Sequence, residues 1–203
     1  MATIDAVTLE VTDLSTARSF YDTAFDLGDR VRFRTSDAPS EGFRGYTLSL
    51  VVSQPANVHA LFAAAVDAGA TPVKPVSKSL WGHGGVIQAP DGAVWQVATS
   101  ARKDVGPATR EIDNVVLLLG VEDVKASKKL YVERGLDVGK SVGSYVDFAL
   151  PSSPVGLGLY KRRALAKVAG VPPEGSGSHR ILLNGDLGTF TDPDGFSWES
   201  GEA

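Results

Sequence analysis

Two segments of this 203-residue chain occur twice in the same order, and this repetition constrains the fold more than any other feature of the sequence. IDAVTLEV at residues 4–11 returns as IDNVVLLL at residues 112–119. APDGAVWQ at residues 89–96 returns as DPDGFSWE at residues 192–199, with tryptophan at the same distance from Pro-Asp-Gly. Because matching segments at a fixed spacing are the signature of repeated structural units, the sequence predicts an internal duplication.

Each copy of the repeat begins with an alternating strand and continues as a helix. Apolar and more polar side chains alternate in residues 4–11, which is typical of a strand with one buried face. Asp13 occupies an N-cap position, and the helix after it is predicted to end at Leu27 and Gly28. Further elements are predicted as strands at residues 30–35, 46–53, 71–76, 85–88 and 94–99, and as a helix at residues 56–68. The second half repeats a strand, a helix and strands as far as Tyr160, which predicts an α+β protein with mixed sheets.

Two stretches between these elements have the composition of loops. Residues 102–110 are polar and include Gly-Pro, which predicts a linker between module 1 at residues 1–101 and module 2 at residues 111–203. Residues 170–178, GVPPEGSGS, predict a mobile loop. The basic run at residues 161–163 is expected to be a solvated face.

Composition and charge exclude several classes of function. The formal net charge of −4 gives the surface no general attraction for phosphate backbones, so a nucleic-acid partner is not expected. The chain has no cysteine, which excludes disulfides, thiolate nucleophiles and thiolate metal sites. The N-terminal segment lacks a signal-peptide pattern and the longest apolar stretches are too short to span a bilayer. We therefore expect a cytoplasmic protein without a membrane partner.

The repeated motifs resemble those of the vicinal oxygen chelate superfamily, which includes glyoxalases, bleomycin-resistance proteins and extradiol dioxygenases. The resemblance lies in the strand, the Asp-Leu cap, the helix that closes on Phe-Tyr, the Leu-Gly after it, and the final Asp-Pro-Asp-Gly-x-x-Trp-Glu. With the intervening strands it covers nearly the whole chain. It implies tandem βαβββ modules whose mixed sheets curl into a cup, with helices packed outside and the ligand inside. It also implies a metal ion held on the sheet by His and Glu side chains.

The first half departs from the metal-binding pattern of this family. Ala6 stands where the opening strand usually carries a His or Gln ligand, and alanine cannot bind a metal. Tyr46 stands near the usual internal His, and Gln96 stands in place of the closing Glu. Neither Ala6 nor Gln96 replaces a His or carboxylate at a transition ion, so we expect no metal in this half.

The second half keeps two candidate metal ligands. Asn114 replaces the first ligand, but His179 and Glu199 match the internal His and the closing Glu. An imidazole and a carboxylate with open coordination positions suit one divalent Fe, Mn, Ni or Zn ion. The alternative is that His179 ends a loop and that Glu199 is a solvated carboxylate.

A candidate substrate site involves Trp81, His83 and Gln96. Trp81 and His83 lie in LWGHGG just before a predicted strand, where glycines let the backbone approach a ligand closely. Trp81 offers a large apolar face and His83 a polar contact or acid–base group. The alternative is a glycine-rich hairpin that serves packing alone.

Two functions therefore remain open. The first is a metal-dependent lyase or dioxygenase with its site at His179 and Glu199. The second is a metal-free protein that binds or sequesters a small molecule in the cup of the sheet, as drug-resistance proteins of this family do. Both functions require a small-molecule ligand, and the sequence is compatible with a monomer or a homodimer.

Overall fold

A computed structural model of the chain describes residues 2–80 and 82–200. The α-helices in these residues are α1 (Leu14–Ala24), α2 (Pro55–Asp67), α3 (Val124–Glu133) and α4 (Arg162–Ala169). The strands are β1 (Ile4–Val11), β2 (Val31–Thr35), β3 (Ser40–Gly42), β4 (Tyr46–Val51), β5 (Thr71–Ser79), β6 (Gly82–Gln88), β7 (Val94–Thr99), β8 (Asn114–Val121), β9 (Val138–Val142), β10 (Tyr145–Phe148), β11 (Val155–Lys161), β12 (Gly175–Gly177), β13 (Ile181–Gly185), β14 (Phe190–Thr191) and β15 (Ser197–Ser200). The predicted α+β class is confirmed.

Both large sheets contain strands from the two halves of the chain. The eight-stranded sheet has the order β5-β6-β7-β4-β8-β11-β10-β9, and the five-stranded sheet has the order β14-β15-β13-β1-β2. The halves meet where β4 pairs with β8 and where β1 pairs with β13, both antiparallel. Neither half therefore forms a sheet of its own, although residues 100–113 between β7 and β8 contain no helix or strand. The boundaries of the two modules stay a prediction.

Helices α1, α2 and α3 pack on one face of the sheets and form the main core with them. Apolar residues of α1, α2 and α3, including Phe20, Leu61 and Tyr131, belong to one buried cluster with alternate residues of the central strands. Trp95 on β7 and Trp198 on β15 are the largest side chains that are fully buried there. The predicted arrangement of helices outside the sheet holds for these three helices. Helix α4 differs, because it packs on the opposite face of the eight-stranded sheet, as described below.

The loop predicted at residues 170–178 contains a short strand. Residues 175–177 form β12, which pairs antiparallel with β3. The prediction of a mobile loop is therefore wrong for these three residues, because their backbone groups are paired with β3. Within residues 2–80 and 82–200, none of the helices has the length and apolar character needed to cross a bilayer.

A buried tyrosine joins the Pro-Asp-Gly hairpin to the core of the first half. Tyr21 on α1 donates from its hydroxyl to Asp91 Oδ2 at 2.9 Å. Trp95 Nε1 donates to the same hydroxyl at 3.1 Å. Burial raises the pKa of the Tyr21 hydroxyl well above its ordinary value, and the Asp91 carboxylate adds to this effect. The hydroxyl therefore stays protonated and holds helix, hairpin and strand together.

The second half contains the same kind of contact with a different aspartate. Tyr131 on α3 donates to Asp192 Oδ2 at 2.6 Å, and Trp198 Nε1 donates to the Tyr131 hydroxyl at 3.4 Å. In sequence, the equivalent of the first-half aspartate is Asp194, which instead accepts from Ser127 Oγ at 3.1 Å. The recurrence of a Tyr–Asp–Trp cluster supports the predicted duplication, although the aspartate has shifted by two residues.

Asp192 makes the stability of this second cluster dependent on pH. Burial raises the pKa of the Asp192 carboxyl, and hydrogen bonds from Tyr131 and from the Phe196 backbone offset this only in part. A carboxyl with a raised folded-state pKa stabilises the fold most when protonated, and that contribution is lost as the pH rises through this pKa. We expect the stability of the unmodified protein relative to Asp192→Asn to fall from acidic to neutral pH. Urea unfolding of both proteins across this range measures the difference, and a difference that grows with pH would contradict the prediction.

Candidate functional site

The face of the eight-stranded sheet that is turned away from α2 and α3, here called the inner face, carries the candidate site. Strand pairs place five of its residues side by side across the middle of the sheet: Val86, Gln96, Ser49, Val116 and Gly156. Ser49 is buried, whereas Gln96, Val116 and Gly156 are half-buried. This middle row therefore has a polar centre between apolar flanks.

A second row of the inner face is open to solvent. Gly84, Ala98, Val51 and Asn114 lie side by side, two residues beyond the middle row on their strands. The first three are half-buried and Asn114 is exposed. Gly84 has no side chain and Ala98 has only a methyl group, so these two positions do not cover the sheet with bulky side chains.

Helix α4 covers the opposite end of the inner face. Leu165 is fully buried and packs with Leu118 of β8, while Ala169 packs with Val94 of β7. Leu118 and Val94 lie two residues from the middle row on their strands, so α4 covers the row next to Gln96. The inner face is therefore divided into a covered end and an open end.

Both ends of α4 are held by side chains that bind backbone carbonyls. Arg162 at its start donates to the carbonyl of Phe43 and, at 3.0 Å, to that of Pro173. Lys74 of β5 donates to the carbonyls of residues 167 and 168 at the end of the helix, at 2.9 and 2.6 Å. The expectation of a solvated basic run is therefore wrong for Arg162, because its guanidinium anchors the helix.

The polar side chains at the open end have unused hydrogen-bonding capacity. In the described part of the chain, no intramolecular hydrogen bond involves the side chains of Gln96, Ser49 or Asn114. Gln96 and Ser49 lie directly opposite each other on paired strands. An amide presents a donor and an acceptor, and a hydroxyl presents both on one atom. This arrangement can bind a neutral polar group, but it offers no acid–base group.

Of the two predicted companions of Gln96, the structure describes His83, which it does not bring together with Gln96. His83 alternates with Gly84 on β6, and this places its side chain on the face opposite to that of Gln96. Its Nδ1 lies 3.4 Å from the carbonyl oxygen of Ala101. Trp81 lies outside the described residues. The contribution of Trp81 and His83 to a substrate site stays a prediction.

His179 is turned towards the main chain on both sides of its ring. Its Nδ1 faces the carbonyl of Arg44, and its Nε2 lies 2.9 Å from the carbonyl oxygen of Asp194. The ring also stacks on Phe196, with centroids 4.1 Å apart. Main-chain oxygens thus lie next to both ring nitrogens, where a metal ion would have to bind. The imidazole thus joins the start of β4 to the second hairpin.

Glu199 lies elsewhere and binds an arginine. Its Oε1 accepts from Arg34 Nη1 at 3.1 Å, and the same guanidinium binds Glu10 at 2.8 Å. His179 contacts Phe196, and Glu199 lies three residues after Phe196. Three residues of extended chain span about 10 Å. The side chain of Glu199 also points to the face opposite to that of Trp198, as alternation requires.

The predicted metal ligands therefore do not fit a shared ion. His179 and Glu199 are directed to different partners, and ligands of one ion need donor atoms about 2.0–2.2 Å from a common point. Among the described residues, no group of three or more His, Asp or Glu side chains could hold a metal. Ala6 is fully buried on β1, and Tyr46 is buried with a hydroxyl that has no hydrogen-bond partner in the structure described. Ala6 has no donor atom, and the expectation that the first half binds no metal stays a prediction.

Comparison with known proteins gives relatives in structure alone. No protein-family model and no curated protein sequence matches the chain. The structure of glyoxalase I from Zea mays is similar with a TM-score of 0.62 and 13% identity, covering 98% of this chain and 91% of that one. A Bacillus subtilis protein named as a dioxygenase is similar with a TM-score of 0.56 and 13% identity, covering 95% and 71% of the two chains.

At this identity the likeness shows the fold. The chain has the fold of glyoxalase I over almost its whole length, so the fold that the sequence resemblance implied is confirmed. The inner face of the eight-stranded sheet is thus the face on which the sequence resemblance predicts a ligand. Helix α4 occupies part of that face in this chain.

Proposed function

We propose that this chain, with its glyoxalase I fold, binds a small neutral molecule on the open end of the inner face and does so without a metal ion. One observation carries the proposal. Gln96, which is half-buried, and Ser49, which is buried, lie side by side, and their side chains make no hydrogen bond within the described chain. Polar groups that are shielded from water and lack partners gain free energy when a ligand supplies them.

The side chains around Gln96 are poor ligands for a transition ion. The inner-face residues of the four central strands offer amides, hydroxyls, aliphatic groups and glycines in the two rows of the open end. Transition ions bind imidazole, thiolate and carboxylate in preference to amide oxygens. A metal-dependent lyase or dioxygenase therefore has less support from this donor set than a metal-free binding protein.

The ligand chemistry follows from the amide of Gln96. A primary amide presents a donor and an acceptor in one plane, which is complementary to a lactam or another cyclic amide. Ala98 lies two residues from Gln96 on the same strand, and Val116 lies beyond Ser49 on β8, so both would contact the apolar part of such a molecule. Gly84 on the neighbouring strand has no side chain next to the amide; a Cβ there would lie 3.7 Å from Gln96 Nε2. We therefore favour a planar neutral molecule with an adjacent donor and acceptor.

The test uses 2-pyridone as a probe, with N-methyl-2-pyridone as the analogue that lacks the donor. We expect NMR titration to show 2-pyridone binding near Gln96, and Gln96→Ala to weaken it by about tenfold, because one hydrogen bond contributes about 0.5–1.5 kcal/mol. Gln88→Ala is the matched control, since Gln88 lies on the same face but already donates to the carbonyl of Gly92.

Two results would refute the proposal. Equal binding of both pyridones, or equal loss in Gln96→Ala and Gln88→Ala, would show that the amide of Gln96 does not select the ligand. Elemental analysis of protein purified without chelators provides an independent check. A stoichiometric metal whose removal abolishes ligand binding would favour the metal-dependent function.

A further inference from the structure

We infer that Lys74 is a specificity-determining residue that limits the size of the ligand on the inner face. It holds α4 in place over Leu118, Thr47 and Val94, which are called the covered row below. The inference rests on the proposed function for the identity of the ligand. Its first two tests need no ligand, so the inference and the proposed function can fail separately.

The covered row contains a hydroxyl group without a partner. Thr47 lies opposite Leu118 on paired strands and two residues before Ser49 on β4, so it shares the inner face with Ser49. Thr47 is 3% exposed, and its side chain makes no hydrogen bond among the described residues. Two residues of a strand span about 7 Å. A ligand with a second fused ring would therefore extend from the row of Gln96 to the hydroxyl of Thr47.

The two halves of α4 are attached to the sheet unequally. In the N-terminal half, Leu165 is fully buried against Leu118, and Arg162 binds two backbone carbonyls. In the C-terminal half, Ala169 packs against Val94 with a methyl group alone. A methyl group buries much less apolar area than a leucine side chain and stabilises the contact less. The C-terminal half therefore depends more on polar contacts.

Lys74 supplies these polar contacts from the edge of the site. It lies opposite Val86 on the neighbouring strand, and Val86 lies opposite Gln96, so Lys74 extends the middle row. Its ammonium group donates to the carbonyls of residues 167 and 168 at 2.9 and 2.6 Å. The last carbonyls of a helix lack partners within it, and this end of a helix carries partial negative charge. The ammonium group satisfies both requirements.

The glycine after α4 makes room for this lysine. Gly170 has a φ of 79°, in the left-handed region, and a Cβ at this position would lie 2.5 Å from Lys74 Cε. The register of β5 shifts on both sides of Lys74. In the described part of the chain, no carboxylate lies within 4.0 Å of its ammonium group. The charge of Lys74 is thus directed at the end of α4 and not at an ion-pair partner.

The limit on ligand size follows from these contacts. While Lys74 holds α4, the ligand contacts Gln96 and Ser49 but not the covered row. A helix of eight residues depends on tertiary contacts, so loss of the Lys74 contacts raises the fraction of molecules in which its C-terminal half has left the sheet. In those molecules the site gains Thr47 and Val94, and it accepts a flat neutral ligand of two rings.

The first test measures access to the covered row by cysteine labelling. The chain has no cysteine, so Thr47→Cys introduces a single thiol under α4. We expect Lys74→Met to raise its rate of modification by a methanethiosulfonate reagent at least about tenfold, because methionine keeps the apolar stem but loses the charged donor. Lys78→Met is the matched control, since Lys78 lies on the same strand, is exposed and makes no hydrogen bond within the described chain. Ala98→Cys, in the row that is open to solvent, should react at the same rate with and without Lys74→Met.

Hydrogen exchange provides a second measure in which Thr47 is unchanged. The backbone N–H groups of Gly170 and Val171 both donate to the carbonyl of Ala166. They should exchange at least about tenfold faster in Lys74→Met than in the unmodified protein. The N–H groups of β8 should exchange at an unchanged rate, because the sheet stays intact. Faster exchange in β8 as well would mean that the substitution loosens the whole fold, and this would overturn the inference.

The third test compares 2-pyridone with 2-quinolone, which carries a second fused ring, by NMR titration. We expect Lys74→Met to improve binding of 2-quinolone relative to 2-pyridone by about fivefold or more, because the second ring then buries apolar surface against the covered row. Lys78→Met should leave this ratio unchanged.

The outcomes separate the inference from the proposed function. Unchanged labelling and exchange in Lys74→Met would overturn the inference whatever the ligands do. Faster labelling with an unchanged ratio of the two lactams would show that the covered row takes no part in binding, and the size limit would be wrong. Binding of neither lactam to any variant would refute the proposed function and the size limit with it, whereas labelling and exchange would still decide whether Lys74 holds α4.

Discussion

Replacing Trp95 or Trp198 with alanine should lower the free energy of unfolding by about 3–5 kcal/mol for each variant. Both indoles are fully buried, at 0% and 1% exposure, and both sit against the tyrosine that joins a helix to a hairpin. Alanine would leave a cavity and would also remove the hydrogen bond to the tyrosine hydroxyl. Chemical denaturation followed by circular dichroism measures the loss.

The same two variants test how the halves of the chain depend on each other. Since both sheets combine strands of the two halves, we expect each variant to unfold in a single transition that is shifted as a whole. Val105→Ala is the control, because Val105 is 88% exposed and its substitution should change stability by less than about 0.5 kcal/mol. Two separate transitions, each sensitive to one tryptophan, would mean that modules 1 and 2 fold independently.

Much of the fold could be predicted because the repeated segments coincide with its structural elements. Residues 4–11 form β1 as predicted, and Asp13 caps α1 by accepting from the backbone N–H of Thr16. The spacing between Pro-Asp-Gly and tryptophan reflects a hairpin and the strand after it, which fixes the direction of the indole through alternation. These signals are local, so a single sequence contains them.

Helix α4 and the sharing of sheets between halves could not be predicted in this way. The helix has eight residues, and its buried apolar positions are Leu165, Ala166 and Ala169. A helix so short is marginal on its own and depends on tertiary contacts, here with Leu118 and Val94. Sequence alone did not indicate those contacts. Arg162 at the start of the helix belongs to a short basic run, which is typical of a solvated surface, and the sequence does not indicate that it binds the carbonyls of Phe43 and Pro173.

The candidate metal site illustrates a second limit of sequence reasoning. His179 and Glu199 have the correct residue types, and alternation correctly separates Glu199 from Trp198. The partners of each side chain depend on segments far away in sequence, namely Arg44 for the imidazole and Arg34 for the carboxylate. These contacts occupy the side-chain atoms that would otherwise bind a metal ion. A sequence motif does not contain the positions of such distant partners, so it cannot predict this misfit. Gln96 stands where the family pattern has a metal-binding Glu. Its side chain is half-buried and has no hydrogen-bond partner among the described residues, so it is a better candidate for contact with a small molecule.

The division of the inner face gives a prediction about how firmly α4 is attached. Leu165→Ala should lower the free energy of unfolding by about 2–5 kcal/mol, because Leu165 is fully buried between the helix and β8 and its loss leaves a cavity. Arg163→Ala on the same helix is the matched control and should change stability by less than about 0.5 kcal/mol, since Arg163 is exposed. Urea unfolding of both variants gives these values. A cost below about 1 kcal/mol for Leu165→Ala would mean that α4 leaves the sheet without unfolding the core, so that the ligand could reach the whole inner face. With the larger cost, α4 is a fixed boundary of the site, and the ligand is limited to the open end around Gln96.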